Sequence, residues 1–269
     1  MLESERLSFI RRNQTKLRVD KYNNLNRSMA DSQCQAFEKG RRIMLPSTFV
    51  GSRRYMDQLY FDGMAICGYV GFPDLFITFT CNPMWPEIQR ILGPINLRPH
   101  DRPDIVSKVF KIKLDELIID LRKRELFGKV VAYMYTIEFQ KRGLPHAHIP
   151  IFLHPTVDDI DKIISAEIPN PECDLELYNL VTTHMLHGPC GLADPSSPCM
   201  QDGKCNMYYP KQFQNSTTLD EDGYPVYRRR DQGISVEKNN VPLDNRHVVP
   251  YNPILLLKYC AHINTEWCN

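Results

Sequence analysis

The sequence predicts an α+β fold, a central antiparallel sheet flanked by helices, with a Cys/His-rich loop inserted into it. Three observations lead there. Short runs of aromatic, β-branched and threonine residues at 75–80, 130–139 and 144–153 alternate as half-buried strands do. A stretch at 102–126 repeats its apolar residues with helical period. Residues 184–210 gather three of the nine cysteines among glycines and prolines.

The elements follow in order. Residues 1–45 form a basic N-terminal segment, extended or partly helical, with a weak helical signal around 30–40; residues 46–269 read as one domain. PSTFVGS (46–52) is a turn, and 53–69 a helix ended by Gly68 or Gly71. In LFITFT (75–80), Leu75, Ile77 and Phe79 share one face and Phe76, Thr78 and Thr80 the other, so the strand is apolar on one side and increasingly polar on the other. A short helix follows the prolines of PMWPEIQRIL. Val106, Val109, Phe110, Leu114, Leu117, Ile118 and Leu121 make the stripe of the helix at 102–126. The runs 130–139 and 144–153, joined by QKRG, read as a hairpin. Helices are expected at 156–168 and 175–187, irregular β structure at 214–250, and an apolar run opens 251–267.

Composition narrows the function. No apolar run is long enough to span a membrane, and acidic Glu3 and Glu5 stand where a secretory signal carries basic residues. The absence of a secretory signal favours thiols or metal ligands over disulfides. No phosphate-binding G-x-x-x-x-G-K-[ST] run occurs, so nothing supports ATP binding. The net charge is +1, yet residues 1–60 hold twelve Lys/Arg against six Asp/Glu, and Arg228, Arg229 and Arg230 form a second basic cluster. Local patches of this kind can hold a phosphate backbone, although a solvated surface has the same composition.

The strongest chemistry lies in the hairpin. His146 and His148 project to one face of their strand, with Ala147, Ile149 and Ile151 on the other. Folding about a turn near 141–144 brings Glu138 opposite one histidine, where facing Cβ atoms lie about 4.5–5.5 Å apart. Two imidazoles and a carboxylate then form a three-ligand metal site with open positions. Histidines plus a carboxylate suit Zn²⁺ or Fe²⁺ among others, so ligand type does not settle the metal. Pro150, just past the histidines, removes a ladder donor, so the strand is expected to end or bulge there.

Several runs resemble the replication-initiator (HUH endonuclease) domain of Helitron transposases, the Helitron helicase-like family: PSTFVGSRRYM (46–56), GFPDLFITFTCNPMWPEI (71–88), RPDIVSKVFKIKLDEL (102–117), EFQKRGLPHAHI (138–149), HGPCGL (187–192), PCMQDGKCNMYYPKQF (198–213) and VPYNPILLLKYCAHINTEWCN (249–269). The resemblance implies an HUH-endonuclease-like sheet, with His146 and His148 as the metal histidines and Glu138 as the acidic third ligand. It further implies Mg²⁺ or Mn²⁺, single-stranded DNA as substrate, and nicking and strand transfer by a tyrosine during rolling-circle transposition. It implies a nuclear location and a helicase domain in the full-length parent. It places the nucleophilic tyrosines on a helix beyond Asn269, so no catalytic residue is assigned. Tyr251 and Tyr259, eight apart, do not share a helical face, and Tyr208 and Tyr209 adjoin the cysteine loop. Thr78, Thr80, Asn82, Lys141, Arg142, Arg228, Arg229 and Arg230 are candidate DNA contacts.

In the 184–210 subregion, His187, Cys190, Cys199 and Cys205 suit a structural zinc, with His184 the alternative to His187. Reduced buried thiols and a redox pair fit the same residues. Three functions remain open: a rolling-circle initiator, a non-catalytic nucleic-acid-binding remnant of a transposase, and a metal-dependent hydrolase.

Overall fold

The computed structural model describes residues 2–14, 43–140, 143–154 and 159–268. Two compact units, Met1–Tyr69 and Val70–Asn269, divide the chain. In the first unit, α1 (Leu2–Arg12) is followed by Gln14, whose amide exchanges hydrogen bonds with the backbone of Met44. Ser52 starts α2 (Arg53–Val70): its hydroxyl accepts from the Tyr55 N–H and donates to the Pro46 carbonyl. The expected helix around 30–40 lies outside the described residues.

The second unit is built on an antiparallel five-stranded sheet. It consists of β1 (Leu75–Thr80), β2 (Val130–Tyr133), β3 (Thr136–Phe139), β4 (Pro145–Leu153) and β11 (Ile263–Trp267). β1 lies between β11 and β4, and β4 carries both β2 and β3 on its far side. Leu75, Ile77 and Phe79 alternate inward, in register with Ile151, Ile149 and Ala147. This face packs on α4 (Pro103–Arg122), where Phe110 stacks on Phe79 with ring centroids 5.3 Å apart. Burying each such side chain contributes about 1.5–3 kcal/mol. Two further helices close this side. α3 (Pro86–Leu92) buries Ile88 and Leu92, and α6 (Pro253–Tyr259) buries Leu255, Leu256 and Tyr259. Buried Asp120 of α4 ties α6 down by accepting from Lys258 Nζ and the Tyr259 hydroxyl.

Two stretches depart from expectation. The run 130–139 is not one strand, and β4 does not stop after His148. Pro150 leaves β4 without a donor, and the interruption falls on the neighbour instead, between Tyr133 opposite Ile151 and Thr136 opposite His148. The Met134 N–H still reaches the Pro150 carbonyl at 3.2 Å. β3 is exposed on both faces, so Ile137 and Phe139 stay out of the core. The second stretch is 156–168. Its described part holds a single 3₁₀ turn, Ile160–Lys162, and then runs extended. Ile164, Ala166 and Ile168 are buried, as is Glu167 among them, and Ser165 exchanges both backbone hydrogen bonds with Tyr251.

α5 (Leu175–His184) forms as expected, capped by the Asp174 carboxylate. The 184–210 insertion contributes a small hairpin, β5 (Met200–Gln201) and β6 (Lys204–Cys205). Asp202 and Gly203 between them both have positive φ, as a tight two-residue connection requires. The irregular β structure consists of two more pairs. β7 (Thr218–Leu219) pairs with β8 (Pro225–Val226), and β9 (Val236–Lys238) with β10 (Val241–Leu243). Among the described residues, no helix is long and apolar enough to cross a membrane.

Candidate metal centres and nucleic-acid face

The solvent side of the sheet is made of rows. One runs Glu138, His146, Thr80 across β3, β4 and β1, and the next runs Thr136, His148, Thr78, Asn264 into β11. Each row exists because all four strands are antiparallel with even-numbered residues in register. The Gln140 N–H to Leu144 carbonyl bond and Gly143, at φ +78°, close the connection between β3 and β4.

The two imidazoles stand edge to face, with centroids 4.6 Å apart. Both Nδ1 atoms face threonines: Thr80 Oγ1 lies 2.7 Å from His146 Nδ1, and Thr78 Oγ1 lies 3.4 Å from His148 Nδ1. Each Nε2 is then the ring atom left for another partner. His148 Nε2 is 3.9 Å from Glu138 Oε2. Two ligands each about 2.1 Å from a common ion are at most about 4.2 Å apart, so this pair can share one. Burial, and secondarily the neighbouring His148, lower the His146 pKa against the opposing pull of Glu138, which favours the neutral, ligating ring. The Glu138 side chain is 68% exposed and not locked in place, so this trio is looser than the second cluster.

In that second cluster the ligand atoms of His187, Cys190, Cys199 and Cys205 all lie within 4.8 Å of one another. A tetrahedral thiolate site with bonds of about 2.3 Å has edges of about 3.8 Å, so the group can hold a metal ion. Gly188 permits the approach: its φ is +103°, and a Cβ there would sit 3.3 Å from the Cys190 nitrogen. β5 and β6 bring Cys199 and Cys205 together, and Cys205 Sγ lies 3.3 Å from His187 Nε2. Burial, then the neighbouring Cys199 and Cys205, push the Cys190 thiol up to about 12. At Cys205 burial acts in the same direction, but the Tyr209 and Met207 backbone donors together with the neighbouring Cys199 and Cys190 outweigh it and lower the pKa. Crowded thiols of this kind need a cation to ionise together. His184 is not in the group.

The candidate DNA contacts fare differently. Thr78 and Thr80 face the histidines. Asn82 donates to the Cys260 carbonyl at 2.7 Å and accepts from the Met84 N–H at 2.9 Å. Each arginine of the cluster is engaged by the protein's own acceptors, with Arg229 buried and Arg230 still exposed. Arg229 is 3% exposed and donates to the carbonyls of Asn245 and Val248, beyond reach of a phosphate. Arg230 grips Glu167 with two nitrogens, and Arg228 is ion-paired with Asp161 and Glu167. Buried carboxylate and carbonyl groups far away in sequence claim these charges. Lys141 and Arg142 lie outside the described residues. Tyr251 and Tyr259 are buried, and their hydroxyls donate to the Glu167 carbonyl and to Asp120.

Sequence reasoning missed His262 and Asn264. β11 places Asn264 opposite Thr78, and the His262 carbonyl accepts from the Thr80 N–H. The alternation of INTEW carried that signal, but only pairing with β1 gives it a face.

The profile of the family described as Helitron helicase-like domain at N-terminus matches residues 1–151. The chain belongs to this family. The match takes in β1, the β3–β4 hairpin and both of its histidines. It ties the Helitron-like chain, at a coarse level, to a transposase-related function on nucleic acid. The comparison with curated proteins finds no match.

Proposed function

We propose that the chain binds single-stranded DNA across the polar face of the sheet, with Mg²⁺ or Mn²⁺ held by Glu138, His146 and His148. The observation that carries this reading is the pair of threonine–histidine contacts, which leave two Nε2 atoms on one face beside a carboxylate. A bound divalent ion there supplies charge neutralisation to a phosphate oxygen. The threonines hold the rings, Glu138 completes the ligand set, and the ion's open positions face the backbone. The Cys/His cluster takes a structural Zn²⁺, whose role is to order a glycine- and proline-rich insertion with little core of its own. In the family setting this is the metal half of a rolling-circle nicking site working on nuclear DNA, alongside a helicase domain. The engaged hydroxyls of Tyr251 and Tyr259 favour a second reading, binding without covalent cleavage by these two tyrosines.

Fluorescence anisotropy of a labelled single-stranded oligonucleotide tests the function. Binding should tighten when Mn²⁺ is added and should fall back in a His146→Ala/His148→Ala chain. Equal affinity with and without the ion, or in both chains, would defeat the metal-dependent reading.

A further inference from the structure

Beside the Cys/His cluster lies a cleft of about 790 Å³ that none of the functions above uses. Its walls carry four tyrosines, Tyr208, Tyr209, Tyr224 and Tyr227, with Trp267, Lys211 and Glu266. Two of the rings stand open: Tyr208 is 81% exposed and Tyr224 69%. Tyr208 is held at φ +56°, a conformation that costs a non-glycine residue on the order of 1 kcal/mol, and it presents a bare ring there. The Lys211 ammonium lies 5.7 Å from the Tyr208 ring centre and 5.1 Å from that of Tyr209. Tyr209 in turn stacks on His187 with centroids 4.2 Å apart, so the metal cluster braces this wall.

The cleft is also continuous with the histidine face. Glu266 pairs with Phe76 and Asn264 with Thr78, so the cleft wall is the next row of the same sheet side. Phe76 leans on His148, with centroids 5.6 Å apart. One row along and two strands across make about 12 Å from His148 to Glu266 by ordinary sheet spacings.

We infer that this cleft is a nucleobase site, in which an unstacked base of single-stranded DNA packs on Tyr208 and Tyr224 while Lys211 meets the adjoining phosphate. Every base offers a π-face to such rings, and the Glu266 carboxylate accepts from exocyclic amino groups. Aromatic rings, a cation and an acceptor together fit a nucleotide better than a purely anionic or purely apolar ligand. The inference rests on the single-stranded DNA reading above and adds a second foothold to it.

The test uses the full 269-residue chain with Zn²⁺ and Mn²⁺ supplied. Anisotropy is measured with an oligodeoxycytidylate and with an abasic strand of equal length. Tyr208→Ala and Tyr224→Ala should each weaken binding to the base-bearing strand about tenfold, leave the abasic strand unchanged, and be restored by Tyr208→Phe and Tyr224→Phe. Both rings are exposed, so folding, followed by circular dichroism, should be unaffected. A photoreactive 5-iododeoxycytidine strand gives an independent readout in the unaltered chain, with cross-links expected on Tyr208 or Tyr224. Tight binding that ignores the alanine variants, with cross-links elsewhere, overturns the cleft and leaves the metal face standing. No single-strand binding by the unaltered chain overturns both.

Discussion

Thr80 Oγ1 sits 2.7 Å from His146 Nδ1, directly across the β1–β4 ladder. A metal on Nε2 requires the proton on Nδ1, and the threonine hydroxyl is placed to accept it. Thr80→Val keeps the shape and removes the acceptor. Losing such a supporting hydrogen bond typically costs 10–100-fold in metal affinity. Calorimetric titration with Mn²⁺ should show a loss in that range with little change in melting temperature. An unchanged affinity would mean that the contact does not set the ring.

Arg229 is a structural residue on this account. Arg229→Leu strips donors from buried carbonyls and should cost about 2–4 kcal/mol in a denaturant melt. Where the variant remains folded, the slope of log affinity for single-stranded DNA against log salt should not change. A slope reduced by about one would instead mark a lost phosphate contact.

The Cys/His group should hold about one Zn²⁺ per chain, measured by emission spectroscopy after dialysis. Cys199→Ser removes one of its thiolates and should release the metal, and the chain should melt earlier by several degrees. Retention of the full equivalent in this variant would place the zinc elsewhere.

Acid should unfold the protein early. His262 Nδ1 is buried without a hydrogen-bond partner. Burial first, then the neighbouring His146 and His184, pull the His262 pKa down to about 4. His146, His184, His187 and His247 are lowered too, each chiefly by burial. The unfolded chain takes up these protons near pH 6.5, whereas the folded chain resists. Stability is therefore full above about pH 6.5 and falls as the pH drops toward 4, with His262 alone accounting for up to about 3 kcal/mol. Melting temperatures across this range should fall less steeply for His262→Asn than for the unaltered chain. Parallel curves would assign the acid sensitivity to other groups.

Local pattern made much of this legible. The period of α4, the alternation of β1 and β4, and the parity that sets Glu138 with the histidines are all written within short stretches. What was not legible depends on partners far along the chain. The basic run at 228–230 reads as a phosphate patch until Glu167 and the carbonyls of Asn245 and Val248 are seen to claim it. The segment around 164–168 has residues that suit a helix, but the bridge from Ser165 to Tyr251 holds it extended. His262 joins the site only because β11 pairs on the outer edge of β1.

The central claim is a divalent ion on the sheet face. With the Cys/His cluster first filled with Zn²⁺, a Mn²⁺ titration followed by electron paramagnetic resonance should show about one bound ion per chain. That ion should be lost in His146→Ala/His148→Ala and weakened in Glu138→Gln. Mn²⁺ binding that is absent from the unaltered chain, or that survives loss of both histidines, would contradict the account.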